Sequence, residues 1–439
     1  MYRVVKLVFL LFITTFSKAQ TWSLQQCIDT AIVNNIPVKQ ASLLMQQANV
    51  NWQQSRLNRL PDLNATINHG INQGRSIDPF TNSYSTQQIN FASYGINSGI
   101  LLFNGMNLNN LVKQNSYAYE ASKMEWQQAK DNLTLNVILA YLLVLNNEDV
   151  VASSTTQAEL SQKQLERLEI LDKQGAINPS LVSDLKGQYM NDQLAILNAR
   201  NNLETSKLDL AQLMNIPYSK NMRLERINVN DLLTAYGTQP DVIYQTSLQQ
   251  LALIKSVELR RQSARYSLKA TRSELFPSLF FNSNVNTNYS SVAENASGKI
   301  PYRQQLNNNV FSSVGLGVRI PIFNSLTVRN RIKLADINLK NTELVEESTK
   351  QILRQQIEQA HLNMTNAYER YITLQQQIAA YTQSFKAAEI RFNSGVGTSV
   401  DYLIAKNNLD KANINLISAQ YDFILRTKVL DYYQNIKSK

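Results

Sequence analysis

The clearest pattern in the chain is an apolar seam in alternating four- and three-residue steps: Leu353, Ile357, Ala360, Met364, Ala367, Tyr371, Leu374 and Ile378. That spacing keeps one stripe of a helix against a neighbouring helix and predicts coiled-coil-like packing. The seam lies between Pro321 and Gly395, an interval with no internal Gly or Pro, and a second such interval runs from Gly105 to Gly175. Read as one helix, Asn107 to Gln174 would extend about 100 Å. In this second interval Leu133, Val137, Ala140 and Val144 fill the first four places of the same seam. Asn147 and Ser154 then interrupt it, so the two copies are expected to differ.

Elsewhere the period drops to two. Leu63, Ala65, Ile67, His69 and Ile71 share one face of a predicted strand, with Asn64, Thr66, Asn68, Gly70 and Asn72 on the other. A counterpart sets Leu279, Phe281, Val285 and Tyr289 opposite Phe280, Asn282, Asn284, Asn286 and Asn288. Return strands alternate through Ala92, Tyr94, Ile96, Ile100 and Leu102, and through Val310, Val314, Leu316, Val318 and Ile320. Strands with one apolar and one polar face over about ten residues are the pattern of a transmembrane barrel. A half-buried strand of a soluble sandwich looks the same singly. Four such strands, with a polar face rich in Asn, suit a water-filled interior.

The chain repeats itself. Leu60-Pro61-Asp62-Leu63 recurs as Phe276-Pro277-Ser278-Leu279, Leu102-Phe103-Asn104-Gly105 as Ile322-Phe323-Asn324-Ser325, and Gly175 as Gly395. Phe103 to Gly175 and Phe323 to Gly395 are both 72 residues apart, so the unit is duplicated. Each copy reads helix, β-hairpin, very long helix, tight turn, shorter helix. The expected divisions are a first repeat over 20–214 with its hairpin near 62–103, a linker over 215–240, and a second repeat over 241–439 with its hairpin near 278–323. Turns are expected at about 175–180 and 395–399.

Composition supports this layout. Thirteen Gly and nine Pro in 439 residues leave little punctuation for ordinary globular domains. Arg3 and Lys6 precede an apolar run from Leu7 to Phe16, and Ser17-Lys18-Ala19 offers small residues for cleavage, so residues 1–19 read as an export signal. Cleavage would remove Arg3, Lys6 and Lys18 and no acid, taking the formal charge from +10 to +7. No later run supplies the roughly 18 continuous apolar residues of a membrane helix, so any membrane crossing must use strands. The positive charge is scattered singly among Asn and Gln, without the basic, aromatic-interleaved stripe of a nucleic-acid binder.

Cofactor and enzyme chemistry find no footing. Cys27 is the sole cysteine, excluding an internal disulfide and a thiolate zinc site. His69 and His361 are far apart, and no Gly-rich phosphate loop accompanies them. Nothing here assembles a nucleophile, metal or nucleotide pocket, and no cofactor is expected. A structural or adhesive coiled-coil envelope protein is the remaining rival; it accounts for the seam but not for hairpins at the same place in both repeats.

Four strands cannot close a barrel, and open edges are not tolerated in lipid. Several copies must therefore combine, two giving eight strands or three giving twelve. The long polar hairpin loops, about Gln73–Gln88 and Ser290–Asn308, suit the extracellular side, which points the helices into the periplasm.

This layout resembles the TolC-like outer-membrane efflux family. The resemblance rests on Trp22-Ser23-Leu24 through Asn34-Asn35-Ile36-Pro37, the two Pro markers before strands, Leu102-Phe103-Asn104-Gly105, Pro321-Ile322-Phe323-Asn324, and Gly395 through Asp401-Tyr402-Leu403. It implies a mainly helical fold with a transmembrane β-barrel, as a homotrimer with a twelve-strand barrel on a twelve-helix periplasmic tunnel. It also implies a passive exit duct, for efflux or type I secretion, docking on a periplasmic adaptor and an inner-membrane RND pump or ABC transporter. By resemblance, the turns at Gly175, Ala176, Ile177 and at Gly395, Val396, Gly397 would meet the adaptor. Asp401 matches the first of two carboxylates lining the family's periplasmic mouth. The second place holds Ile404 here, while Asp184 occupies the equivalent place in the first repeat and Leu181 the one equivalent to Asp401. Gly397 stands where the family's locking arginine would be, so that lock is not expected.

Overall fold

The computed structural model describes residues 21–77, 82–86, 88–227 and 237–434. The export signal expected over 1–19 and part of the linker lie outside the described residues.

The first copy contains β1 (Thr21–Trp22), α1 (Leu24–Asn34), α2 (Ile36–Leu57), β2 (Asn64–Asn72), β3 (Ser76–Ile77), β4 (Tyr84–Ser85), β5 (Ile89–Asn104), α3 (Asn107–Lys173) and α4 (Pro179–Met214). After β6 (Arg223–Leu224) come α5 (Pro240–Gln250), α6 (Ala252–Ser273), β7 (Ser278–Ser290), β8 (Glu294–Asn295), β9 (Gly298–Lys299), α7 (Tyr302–Asn308), β10 (Phe311–Arg319), α8 (Thr327–Asn393) and α9 (Ser399–Tyr433). The pairs match in length: α1 and α5 have 11 residues, α2 and α6 have 22, and α3 and α8 have 67.

Local chemistry explains several boundaries. Ser23 and Gln26 form a capping box at the start of α1. Asn35 ends that helix in extended backbone, and its side chain accepts from Val38 N–H at 3.2 Å, so one residue closes α1 and opens α2. The strand-to-helix corner is the same in both copies: Gly105 and Met106 are left-handed (φ 64° and 69°), as are Ser325 and Leu326 (φ 52° and 61°). Gly105 is also sterically required, since a Cβ there would meet Phe276 Cβ at 2.6 Å and Ser273 O at 2.7 Å. The return strand expected to reach Phe323 stops at Arg319, because Pro321 has no N–H to give the ladder. The second hairpin loop is more ordered than a polar loop: it holds β8, β9 and α7, with buried Gln305 donating to Ser290 O and Ile300 O.

The chain forms two compact units that cut across the duplication. One takes residues up to 41, 126–251 and 351 onward. Its main core joins Cys27, Ile28 and Ala31 of α1, Val137, Tyr141 and Val144 of α3, Leu210 and Met214 of α4, and Ile424 of α9. Tyr141 ties the linker to the chain's first strand, its hydroxyl donating to Glu225 O at 2.6 Å and Trp22 O at 3.1 Å. Part of α3 is apolar enough over eighteen residues (mean hydropathy 1.4) to pass for a membrane span by length and composition. In that helix Leu133, Val137, Leu142, Val144 and Leu145 are core residues instead. The seam of α8 is buried at Leu353, Ile357, Met364 and Ala367. On α3 it is not interrupted as expected. It continues through buried Ser154, Ala158, Ser161, Leu165 and Leu168, and Asn147 sits within it by donating to Asn202 O of α4 at 3.3 Å.

The other unit holds 42–125 and 252–350. Its four-stranded antiparallel sheet runs β10-β7-β5-β2. Its helices follow the matching order. Trp52 of α2 stacks on Tyr119 of α3, and Tyr117 of α3 stacks on Tyr266 of α6. Arg261 of α6 then pairs with Glu346 of α8 at 2.8 Å. Thus α2 and β2 stand at one edge, α8 and β10 at the other. Both edges carry unpartnered apolar residues at near-heptad spacing: Leu43, Val50 and Leu57 on α2, and Leu334, Ile337 and Leu344 on α8, are each more than half exposed.

Candidate functional site

Each long helix ends in the same turn. Ala176 N–H bonds Leu171 O at 2.9 Å and Gly175 N–H bonds Asp172 O at 2.8 Å; Val396 N–H bonds Arg391 O at 3.0 Å and Gly395 N–H bonds Phe392 O at 3.1 Å. This pairing is a Schellman cap, which needs a left-handed residue, supplied by Gly175 (φ 70°) and Gly395 (φ 75°). Asn178 and Thr398 then cap α4 and α9 through their side chains, with Pro179 in the first turn of α4.

Beneath the turns lies a small core of Leu165, Leu168, Leu185, Phe392 and Tyr402, with Ile177, Leu181 and Leu403 packed against it. Phe392 and Tyr402 stack at 4.9 Å. Arg167 of α3 bonds Asn393 at the end of α8, tying the two turns together. Of the six turn residues singled out from the sequence, Gly175, Ala176, Gly395 and Val396 are exposed, Gly397 is half-buried, and Ile177 is partly withdrawn into this core.

The two candidate mouth carboxylates are both exposed and both engaged. Asp401 accepts from Thr398 Oγ1 at 2.9 Å, while its own N–H bonds Thr398 Oγ1 at 3.1 Å, a reciprocal cap on α9. Asp184 of α4 accepts from Ser399 Oγ of α9 at 2.9 Å. The structure therefore brings Asp184 to the first turn of the helix that carries Asp401.

That contact is the first rung of a polar ladder that the sequence did not disclose. One turn further along α4, Gln188 exchanges amide bonds with Asn407 of α9 at 3.0 and 3.2 Å. One turn further again along α4, Asp192 accepts from Lys406 of α9 at 3.0 Å, and Lys406 also donates to Asp410 at 2.5 Å. Asp192 also accepts from Gln188 at 2.8 Å and from Ser161 of α3. Lys406 is 1% exposed and Asp192 8%. A charge so withdrawn from water requires paired, hydrogen-bonded partners, and Lys406 has two carboxylates. Burial pushes the Asp410 carboxyl above its ordinary range, partly offset by the Lys406 ammonium. The available signal was positional: Gln188 and Asp192 fall on the buried stripe of α4 with Leu185, Ile196 and Ala199.

The sheet presents two chemically distinct faces. The register aligns Asn64, Asn97, Asn284 and Ser313 in one row across all four strands, and Ala65, Ile96, Val285 and Ser312 in the next. Ile67, Ile71, Ile96, Val314, Leu316 and Val318 are exposed on the apolar face.

Comparison with known proteins agrees with this geometry. The protein TolC of Escherichia coli K12 is 23% identical over 303 residues, which span 68% of this chain and about three fifths (60%) of TolC. The crystal structure of the outer membrane protein VceC from Vibrio cholerae superimposes with a TM-score of 0.79 at 14% identity, covering 94% of this chain and 95% of VceC. A crystal structure of CusC, described in terms of transmembrane channel formation, gives 0.81 at 18% identity, over 94% and 91% of the two chains. The outer membrane efflux protein family matches residues 27–215 and 243–428, one stretch in each repeat. On that match the chain belongs to the outer membrane efflux protein family, and its place is the outer membrane.

Proposed function

We propose that the protein is the outer-membrane exit duct of a tripartite efflux or type I secretion system. Three copies would close one twelve-strand barrel in the membrane and one helical tunnel in the periplasm. The observation that carries this reading is the matched order of strands and helices, with unpaired edges β2 and β10 beside exposed apolar stripes on α2 and α8. One edge is not a copy of the other, so the contact is head-to-tail, and such contacts close into rings when the rotation permits. Closure also removes the strand edges that lipid does not tolerate.

The duct catalyses nothing and conducts cargo passively from a periplasmic adaptor and an inner-membrane RND pump or ABC transporter. The exposed turn residues Gly175, Ala176, Gly395 and Val396, with Ile177 and Gly397 behind them, supply the adaptor contact. Asp184 and Asp401, near one another at the start of α9, supply a ring of carboxylates at the mouth, which attracts cations and repels anions. The test is conductance of the purified protein in a planar bilayer, with native mass measured alongside. Discrete channels from a trimer, with selectivity altered by Asp184→Asn plus Asp401→Asn, are expected. A species that never enters lipid would overturn the reading.

A further inference from the structure

The two edge strands of the sheet match in length: β2 and β10 have nine residues each. They are displaced along the strand direction. The ladder carries one row from Asn64 through Asn97 and Asn284 to Ser313. On the helix side β2 starts at that row, whereas β10 runs six residues further, to Arg319. On the loop side β2 runs eight residues beyond the row, to Asn72, and β10 only two, to Phe311. The displacement is six residues at both ends.

Strand tilt accounts for it. Four strands at about 4.8 Å span roughly 19 Å, and a barrel tilt of roughly 35–45° slides them by about four to six residues. Level rims then turn the offset into alignment, with Arg319 of one copy opposite Asn64 of the next and Phe311 opposite Asn72. The faces agree in this register. Gly315 and Ser313 meet Asn68 and Gly70, while Val318 and Leu316 meet Ala65 and Ile67. A shift of one residue would set amides against apolar side chains along the whole seam.

Charge points the same way. The four long strands contain a single Lys, Arg, Asp or Glu between them, Arg319 at the end of β10. Its guanidinium lies 6.0 Å from the centre of the Phe280 ring on the polar face. Asp62 extends β2 by two residues on that face: its N–H bonds Gly99 O at 3.0 Å, and its carboxylate accepts from Gly99 N–H at 2.7 Å and the Asn64 amide at 3.0 Å. Within one copy β5 and β7 stand between Asp62 and Arg319. Across the aligned seam the two are diagonal neighbours, a spacing of about 7–8 Å that long side chains bridge. A carboxylate has acceptor sites beyond the two used here.

We propose that β10 of one copy pairs with β2 of the next in this end-matched register, locked by an Arg319–Asp62 ion pair at the helix-side rim. The inference rests on reading the sheet as one copy's share of a barrel wall with its Asn-rich face inward. Slips of two residues preserve both faces, so side-chain alternation alone does not exclude them. The slip toward Thr66 carries the guanidinium away from Asp62, and the opposite slip leaves Ile71 and Asn72 without partners in β10. Complementary charges here fix register more than they add affinity.

Disulfide trapping between copies reads the register. Gly315→Cys with Asn68→Cys reports the end-matched pairing; Ser313→Cys with Asn68→Cys, and Ser313→Cys with Asn72→Cys, report the two slips. A Cβ at Gly315 meets nothing within 4 Å, and directly opposite Cβ atoms are close enough for a disulfide where diagonal ones are not. Cys27 is fully buried, and burial pushes its thiol up to about 12, so it stays silent. Oxidation is expected to join copies through the first pair at several-fold higher yield than through either slip pair. A slip pair that cross-links equally well, or no cross-link in an inserted oligomer, overturns the register. The ion pair is read from the temperature at which the oligomer dissociates in detergent, for Arg319→Gln, for Asp62→Asn, which keeps an acceptor for Gly99 N–H, and for both together. Each single variant is expected to lower it, and the double no further than the weaker single; additive losses, or none, overturn the pair. A protein that never inserts as an oligomer overturns the barrel reading beneath the proposal.

Discussion

Lys406 and Asp192, one from each repeat, meet through a 3.0 Å ion pair almost wholly out of water. The partners are not equally replaceable. Lys406→Met leaves Asp192 and Asp410 buried without their counter-ion, and loss of one member of a buried pair costs about 3–5 kcal/mol. Replacing Lys406, Asp192 and Asp410 together by Met, Leu and Leu is expected to recover most of that stability. Thermal or denaturant unfolding of the two variants checks it, and equal losses in both would contradict the account.

The same cluster predicts a pH dependence. Burial raises the Asp410 carboxyl above 3.8 in the folded chain. The folded state therefore holds a proton that the unfolded state has released, and Asp410 contributes most below 3.8, less as pH rises through its raised value. Asp410→Asn should lack that decline, so the stability difference between variant and wild type should shift in the variant's favour as pH rises across this window. Unfolding midpoints measured at a series of pH values decide the matter; a difference that is flat or slopes the other way contradicts it.

The two strand-to-helix corners predict opposite responses. Gly105→Ala forces a Cβ into Phe276 and Ser273 O at left-handed φ and is expected to destabilise by about 1–3 kcal/mol. Ser325→Gly relieves a left-handed non-glycine residue (φ 52°) and should be neutral or stabilise by up to about 1 kcal/mol. Denaturant midpoints of the two single variants are the measurement.

Assembly should depend on the edge stripes. Val50→Lys with Leu57→Lys places charges in a stripe that the single chain leaves exposed. Helical content should be retained, while the oligomer is lost in native mass measurements. A variant that remains fully oligomeric would show that this edge of α2 is not the contact.

Much of the fold was legible because its punctuation is sparse. The Gly- and Pro-free intervals located α3 to within a residue at each end and α8 to within a residue at its C-terminal end and five at its start, and period-two alternation located the strands. The seam of α3 was harder to read, since Ser154 and Ser161 look like interruptions on a hydrophobicity scale yet pack as small buried residues. The order within the second hairpin loop escaped because α7 is short and is held by side-chain bonds from Gln305 rather than by an apolar stripe. At the site, the two glycine turns were visible in the sequence, whereas the side-chain caps at Asn178 and Thr398 emerged with the structure. The Lys406 cluster was not, because beyond Asp410 on its own helix it depends on Asp192 of α4, 214 residues away in sequence, which in turn accepts from Ser161 of α3.

The ladder between α4 and α9 also bears on the history of the duplication. Carried forward by the repeat offset of 220 residues, Asp192 corresponds to Ala412 and Asp184 to Ile404. A chain built from two second halves would set Lys406 and Ser399 opposite alanine and isoleucine. The halves have become complementary, like two subunits of an obligate heterodimer fused end to end. In a chain of two second halves Lys406 would keep Asp410 of its own helix but lose Asp192.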